Sequence, residues 1–155
     1  MAKLEIKKYP DPILRQECEE IKEITPEIKE LILSMIETQD EKNGLGLAAP
    51  QVGVSKKIIV IGKTAYINPK ILNKSKDTII FEEGCLSFPK LFLKIKRQRE
   101  IEIEFLTANG DKIKMKAGDL DAVIFQHEID HINNILFIDR LSFWQKLKLK
   151  NKFIN

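Results

Sequence analysis

Apolar residues recur with a helical period early in the chain. Ile28, Leu31, Ile32, Met35 and Ile36 fall at i, i+3, i+4, i+7 and i+8, which lines them along one stripe of an α-helix. The pattern predicts a helix over residues 26–41. Thr25 is placed to cap its start, Pro26 sits at the first helical position, where a missing N–H costs nothing, and Asn43-Gly44 can supply a left-handed stop. Further on the period shortens to two. Residues 57–61, 78–81 and 101–106 are rich in β-branched and aromatic side chains, and Ile101, Ile103 and Phe105 alternate with Glu102 and Glu104, as in a strand with one buried face. Asn109-Gly110 ahead of a further strand at 112–116 predicts a two-residue hairpin turn with positive φ at both central positions. The helical period returns from 119 or 120 to 133, with Asp119 placed as its cap. Helix, antiparallel strands, helix is an α+β order.

No internal repeat and no Gly/Ser-rich or Pro-rich linker interrupts this order, so residues 1–155 are read as one domain, with 143–155 as a basic tail. A chain of 155 residues that is 43% hydrophobic and 32% charged can bury a real core. Two Cys cannot form a disulfide scaffold, and a Lys-rich chain suits a reducing cytoplasm. The first ten residues carry no apolar leader core, and no run reaches the roughly 18 apolar residues of a membrane span. A cytoplasmic location without membrane contact is therefore expected. The formal charge of +3 comes from 26 Lys and Arg, four of them Arg, spread along the chain, so direct nucleic-acid recognition is not expected.

Chemistry concentrates in the second helix. Gln126-His127-Glu128-Ile129-Asp130-His131 contains an H-E-x-x-H motif. A spacing of four stacks His127 and His131 on one helix face, so two imidazoles can reach one metal ion while Glu128 reaches a water on that ion. The chain's two His both lie here. Two His leave a metal short of ligands. Downstream, the nearest carboxylate is Asp139; upstream, Glu82-Glu83-Gly84-Cys85-Leu86-Ser87 offers a Cys, which taken alone reads first as a small buried hydrophobe. A third segment, Gly44-Leu45-Gly46-Leu47-Ala48-Ala49-Pro50-Gln51-Val52-Gly53, lacks the rest of a phosphate-binding fingerprint. Its small residues suggest backbone approaching a ligand or a tight helix-to-strand connection, with Gln51 the one hydrogen-bonding side chain.

Together, GLGLAAPQVG, EGCLS and QHEIDH, in this order, resemble the three signature segments of the peptide deformylase family. Pro10-Asp11-Pro12-Ile13-Leu14-Arg15, Ile67-Asn68-Pro69 and Leu136-Phe137-Ile138-Asp139 resemble its flanking segments, so the likeness runs from about Lys8 to Ser142. It implies an α+β fold, with antiparallel or mixed sheets packed around a central helix that carries the H-E-x-x-H motif, and an N-terminal helix. It also implies that Cys85, His127 and His131 hold one divalent ion, Fe2+ first, with Zn2+, Ni2+ or Co2+ as alternatives. The implied reaction is release of formate from formyl-methionyl nascent peptides. Metal-bound hydroxide attacks the formyl carbon, Glu128 acts as general base and acid, and the Leu86 N–H and the Gln51 amide stabilise the oxyanion.

By the same resemblance, Leu45, Phe81, Leu120, Val123 and Ile124 form a methionine pocket, Gly46 crowds the formyl site, and backbone near Leu45 and Gly84 pairs with the peptide like an added strand. The family's usual Gly three residues after the second metal His is Asn134 here, which tolerates a left-handed helix stop. A short turn at Gly62-Lys63-Thr64 suggests a trimmed hairpin loop. The Lys-rich tail suggests a weak ribosome contact. Two competing readings remain at this point: an H-E-x-x-H endopeptidase indifferent to Cys85, and a metal-stabilised binding module. The second needs neither Glu128 nor Gln51.

Overall fold

A computed structural model describes residues 3–153. Helix α1 spans Pro26–Glu41; the Thr25 hydroxyl accepts the Ile28 N–H at 3.3 Å. At its other end Asn43 takes φ 55, the Gly44 N–H bonds the Gln39 carbonyl and the Asn43 N–H that of Asp40. This crossed pair of bonds satisfies carbonyls the helix leaves open. Ile32 and Met35, on the apolar stripe, are buried.

Seven strands follow: β1 (Gly46–Ala48), β2 (Ile58–Ile61), β3 (Thr64–Lys74), β4 (Thr78–Cys85), β5 (Phe88–Gln98), β6 (Glu100–Leu106) and β7 (Lys112–Gly118). They form a five-stranded sheet, β1-β2-β3-β6-β7, and a separate β4-β5 hairpin. Every pairing of named strands is antiparallel. Among the described residues the one parallel contact is an isolated bridge between Glu19 and Lys56, so the mixed-sheet alternative is not realised. Helix α2 (Asp119–Ile132) and a C-terminal helix α3 (Phe143–Phe153) complete the order, which is α+β.

Alternation along β2 divides the core. Ile58 and Val60 face the cluster built on Ile32 and Met35 of α1, while Ile59 joins Phe125, Ile129 and Ile132 of α2 with Ile101, Ile103 and Phe105 of β6. The large sheet is therefore covered by a helix on each side. A third cluster, Phe88, Ile95, Leu14, Leu136, Phe137 and Leu141, packs beneath the β4-β5 hairpin. Among the described residues no helix is long and apolar enough to cross a membrane.

Several local expectations need correction. The turn before β7 is not a two-residue loop. Leu106 pairs with Lys112, Gly110 alone takes positive φ (88), and the Thr107 hydroxyl accepts the N–H groups of Asn109 and Asp111. The side-chain capacity of Thr107 favours this wider turn ending in a left-handed glycine. Asp119 does not cap α2. Gly118 stands at the cap, and the Asp119 carboxylate turns to the Arg99 guanidinium at 3.0 Å. With Gly118 carrying the extended backbone of the cap, Asp119 stands one residue inside the helix and is not placed to cap it. Residues 143–153 of the tail fold as α3. Strand β5 lay outside every predicted element, and β4 continues four residues past the predicted end, as far as Cys85. Gly62, at φ 60, leads a two-residue turn that closes Ile61 against Thr64. Asn134 does adopt the left-handed stop, at φ 64.

Candidate active site

Helix α2, the end of β4 and the segment from Gly46 to Gln51 meet at one cleft. On α2 the four-residue spacing brings the rings of His127 and His131 to 5.1 Å between centroids. Cys85, the last residue of β4, puts its Sγ 3.3 Å from His131 Nε2. One donor atom each from Cys85, His127 and His131 lies within 4.8 Å of the others. Such a set could hold a metal ion. Asp139, the downstream alternative, takes no part: its carboxylate is spent on Arg15 and on the Leu136 N–H.

The electrostatics of the donors differ although both rings are buried. Burial lowers the pKa of His127, but hydrogen bonds to Cys85 and Glu83 outweigh it and raise the value well above the usual imidazole range. Burial drives His131 well below that range, helped by the nearby positive charge of His127 and Arg97. Glu128 is pushed up to about 7, chiefly by burial. Its Oε2 and the Nδ1 of His131 are buried without a hydrogen-bond partner, an expensive state unless something at the site engages them.

Opposite Glu128 the wall is glycine. A Cβ added at Gly46 would come within 2.9 Å of Glu128 Cγ, so no larger residue fits while Glu128 keeps its place. Gln51 stands in a short 3-10 turn, Ala49–Val52, directly after β1. Its Oε1 accepts the Ala48 N–H at 2.9 Å, and its Nε2 donates to Ser87 Oγ at 3.2 Å and to Cys85 Sγ at 3.5 Å.

The cleft has a volume of about 880 Å³. Gln51, Cys85, Leu86, His127 and Glu128 line it. So do Leu45, Gly46, Phe81 and Gly84 from one side, and Leu120, Val123 and Ile124 from the first two turns of α2. The expected site residues thus meet at this cleft, except that His131, 1% exposed, lies behind its wall and joins Cys85 and His127 from there. Leu45, Phe81 and Leu120 remain 64%, 38% and 40% exposed, an apolar surface left open to a ligand. Cys18 is buried elsewhere, its thiol directed at the Gln16 carbonyl.

The family model of polypeptide deformylase matches residues 3–147. The chain belongs to the polypeptide deformylase family. A peptide deformylase of Thermodesulfovibrio yellowstonii is 43% identical, over 99% of this chain and 98% of its own. The crystal structure of the Thermotoga maritima peptide deformylase superposes with a TM-score of 0.89 at 38% identity, over 92% of this chain and 99% of that one. That of the Ehrlichia chaffeensis peptide deformylase in complex with actinonin gives 0.90 at 36% identity, over the whole of both chains.

Sequence patterns assign no role to four polar residues around this deformylase-family site: Glu83, Arg97, Asp130 and Ser87. Glu83 accepts His127 Nδ1 at 2.8 Å and the Arg97 guanidinium in a two-point contact at 2.8 and 2.9 Å. Burial raises the Glu83 pKa, but the bonds from Arg97 and His127 more than reverse this, so the carboxyl stays below its usual value. Arg97 also reaches Asp130 at 2.6 Å, and Asp130 is held from the other side by Arg140 at 2.7 and 3.0 Å. Ser87, fully buried, holds Gln51. The inward-facing alternation Leu91, Leu93, Ile95, Arg97 was the available signal for β5 and for a buried arginine.

Proposed function

We propose that this chain is a single catalytic domain that removes the N-terminal formyl group from formyl-methionyl nascent peptides, releasing formate and a free α-amine. The reading is carried by one observation: a Cys-His-His donor set stands at the wall of an open cleft beside Glu128, whose Oε2 is buried without a partner. Cys85, His127 and His131 would hold one divalent ion. Their softness suits Fe2+, with Zn2+, Ni2+ or Co2+ able to substitute. Three protein donors are the complement of a catalytic site, whereas structural sites close with four. Bound there, the ion supplies Lewis-acid polarisation and lowers the pKa of water.

Glu128 takes the proton of the attacking water and returns it to the departing nitrogen. The carboxyl is buried and its Oε2 has no protein partner, so it is free to take a proton and give it back. The Gln51 carboxamide, 3.5 Å from Cys85 Sγ, and the Leu86 N–H donate to the oxyanion. Gly46 keeps the reacting corner small, which admits a formyl hydrogen and rejects an acetyl methyl. Leu45, Phe81, Leu120, Val123 and Ile124 receive the methionine side chain, while backbone at Leu45 and Gly84 pairs with the extended peptide.

The test uses purified protein loaded anaerobically with iron, or aerobically with nickel, and offered formyl-Met-Ala-Ser or its acetyl analogue. Free amine should appear from the formyl peptide alone. A full metal complement with no amine released would overturn the reading. Helix α3 adds a weak ribosome contact to this proposal. It carries Lys146, Lys148 and Lys150, no acidic residue, and exposed Phe143 and Trp144. Deleting residues 146–155 should reduce cosedimentation with ribosomes while peptide turnover is unchanged, and undiminished cosedimentation would remove the contact.

A further inference from the structure

We propose that Ser87 is a positioning residue for Gln51: its hydroxyl fixes the carboxamide so that one N–H points to the side of the site where the oxyanion forms. The inference rests on the role proposed for Gln51 above. Ser87 and Gln51 are each 1% exposed, so water does not compete for either group. A carboxamide has two N–H donors and one carbonyl. The Ala48 N–H, 2.9 Å from Oε1, decides which end of the Gln51 amide faces which way. Ser87 Oγ then accepts from Nε2 at 3.2 Å, and Nε2 also lies 3.5 Å from Cys85 Sγ. With one amide hydrogen held by Ser87, planarity directs the other toward Cys85 and the donor cluster.

The backbone makes the arrangement stiff. The N-terminal segment bonds both partners, Lys7 N–H to the Gln51 carbonyl at 2.7 Å and Tyr9 N–H to the Ser87 carbonyl at 2.9 Å. The residues whose side chains bond each other are thus tied to one strap, and Ser87 sits between Cys85 and Phe88, which pair across the tip of the β4-β5 hairpin. Without the hydroxyl, the Gln51 amide loses the contact that sets its tilt while Ala48 still holds its far end. A donor fixed in advance serves the transition state more than the bound substrate, so its loss should act on kcat.

The experiment is a double-mutant cycle on metal-loaded protein with formyl-Met-Ala-Ser. Ser87→Ala should lower kcat about tenfold, less than the roughly 10²- to 10³-fold cost of losing such a donor outright, with KM within about twofold. In the Gln51→Ala background the same change should cost nothing further, because a residue acting through another has no effect once that other is gone. An equal loss of kcat in both backgrounds, or no loss on Ser87→Ala while Gln51→Ala is slow, would overturn the inference and leave the role of Gln51 standing. Wild-type turnover in Gln51→Ala would instead overturn that role, and the positioning of Gln51 with it.

Discussion

Glu128→Gln lowers kcat/KM for formyl-Met-Ala-Ser by about 10²- to 10⁴-fold, the usual contribution of a positioned general base, while the protein still binds one metal ion per chain. The two halves of this expectation come from different parts of the geometry. Metal retention should survive because the donor cluster consists of Cys85, His127 and His131, and Glu128 contributes no atom to it. Turnover should collapse because an amide of nearly the same shape cannot accept a proton. Shape matters here: the Glu128 stem lies against the open face of Gly46, so Gln preserves the packing that Ala would empty. Steady-state kinetics with metal analysis on the same preparation decides the matter, and activity within about threefold of the parent would remove Glu128 from the role.

Legibility of this site in the sequence follows from how local each part is. His127, Glu128 and His131 are fixed relative to one another by the helical repeat alone, so their spacing announces their geometry. The same holds for the stripe of α1, whose apolar spacing and flanking Thr25 and Asn43 lie within a few residues of the helix they bound. Cys85 and Gln51 are different. Nothing in their spacing places them beside α2, and they were reached through the likeness of three segments to one family. Glu83, Arg97 and Asp130 were not reached at all, because their roles arise from pairings between β4, β5 and α2 that no local period encodes. Strand β5 was missed for a related reason: lysines at 90, 94 and 96 give it a polar look, although its alternate face supplies Ile95 and Arg97 to the interior. The failed cap at Asp119 is a matter of one residue: Gly118 takes the extended backbone of the cap, and the Asp119 carboxylate bonds Arg99, 20 residues away.

Arg97→Met should be the most destabilising single change in the support of the site, costing about 3–5 kcal/mol, the range for removing one partner of a buried ion pair. The Arg97 side chain is 3% exposed and that of Glu83 4%. With the guanidinium gone, Glu83 keeps only His127 and must either stay charged and under-bonded or take up a proton. Asp130 suffers less, because Arg140 still bonds it. Arg140 therefore supplies the control. Its side chain is 39% exposed, and a solvent-screened pair of that kind contributes roughly 1 kcal/mol or less, so Arg140→Met should be mild. For a domain of this size each kcal/mol shifts the melting midpoint by about 2–4 °C, and thermal melts of the two variants should separate clearly. The separation also has a functional side. Glu83 holds His127 Nδ1, and a carboxylate on the far nitrogen fixes a ligating ring's tautomer and orientation, typically at a cost of about 10- to 100-fold in metal affinity when removed. Glu83→Gln should thus weaken metal retention about 10- to 100-fold, and it should also lower the melting midpoint, because the buried Arg97 guanidinium is left with only Asp130, which Arg140 shares. Metal retention equal to the parent's in Glu83→Gln would show that the chain from Arg140 to His127 does not support the ligand, and a loss below about 1 kcal/mol in Arg97→Met would show that it does not support the fold.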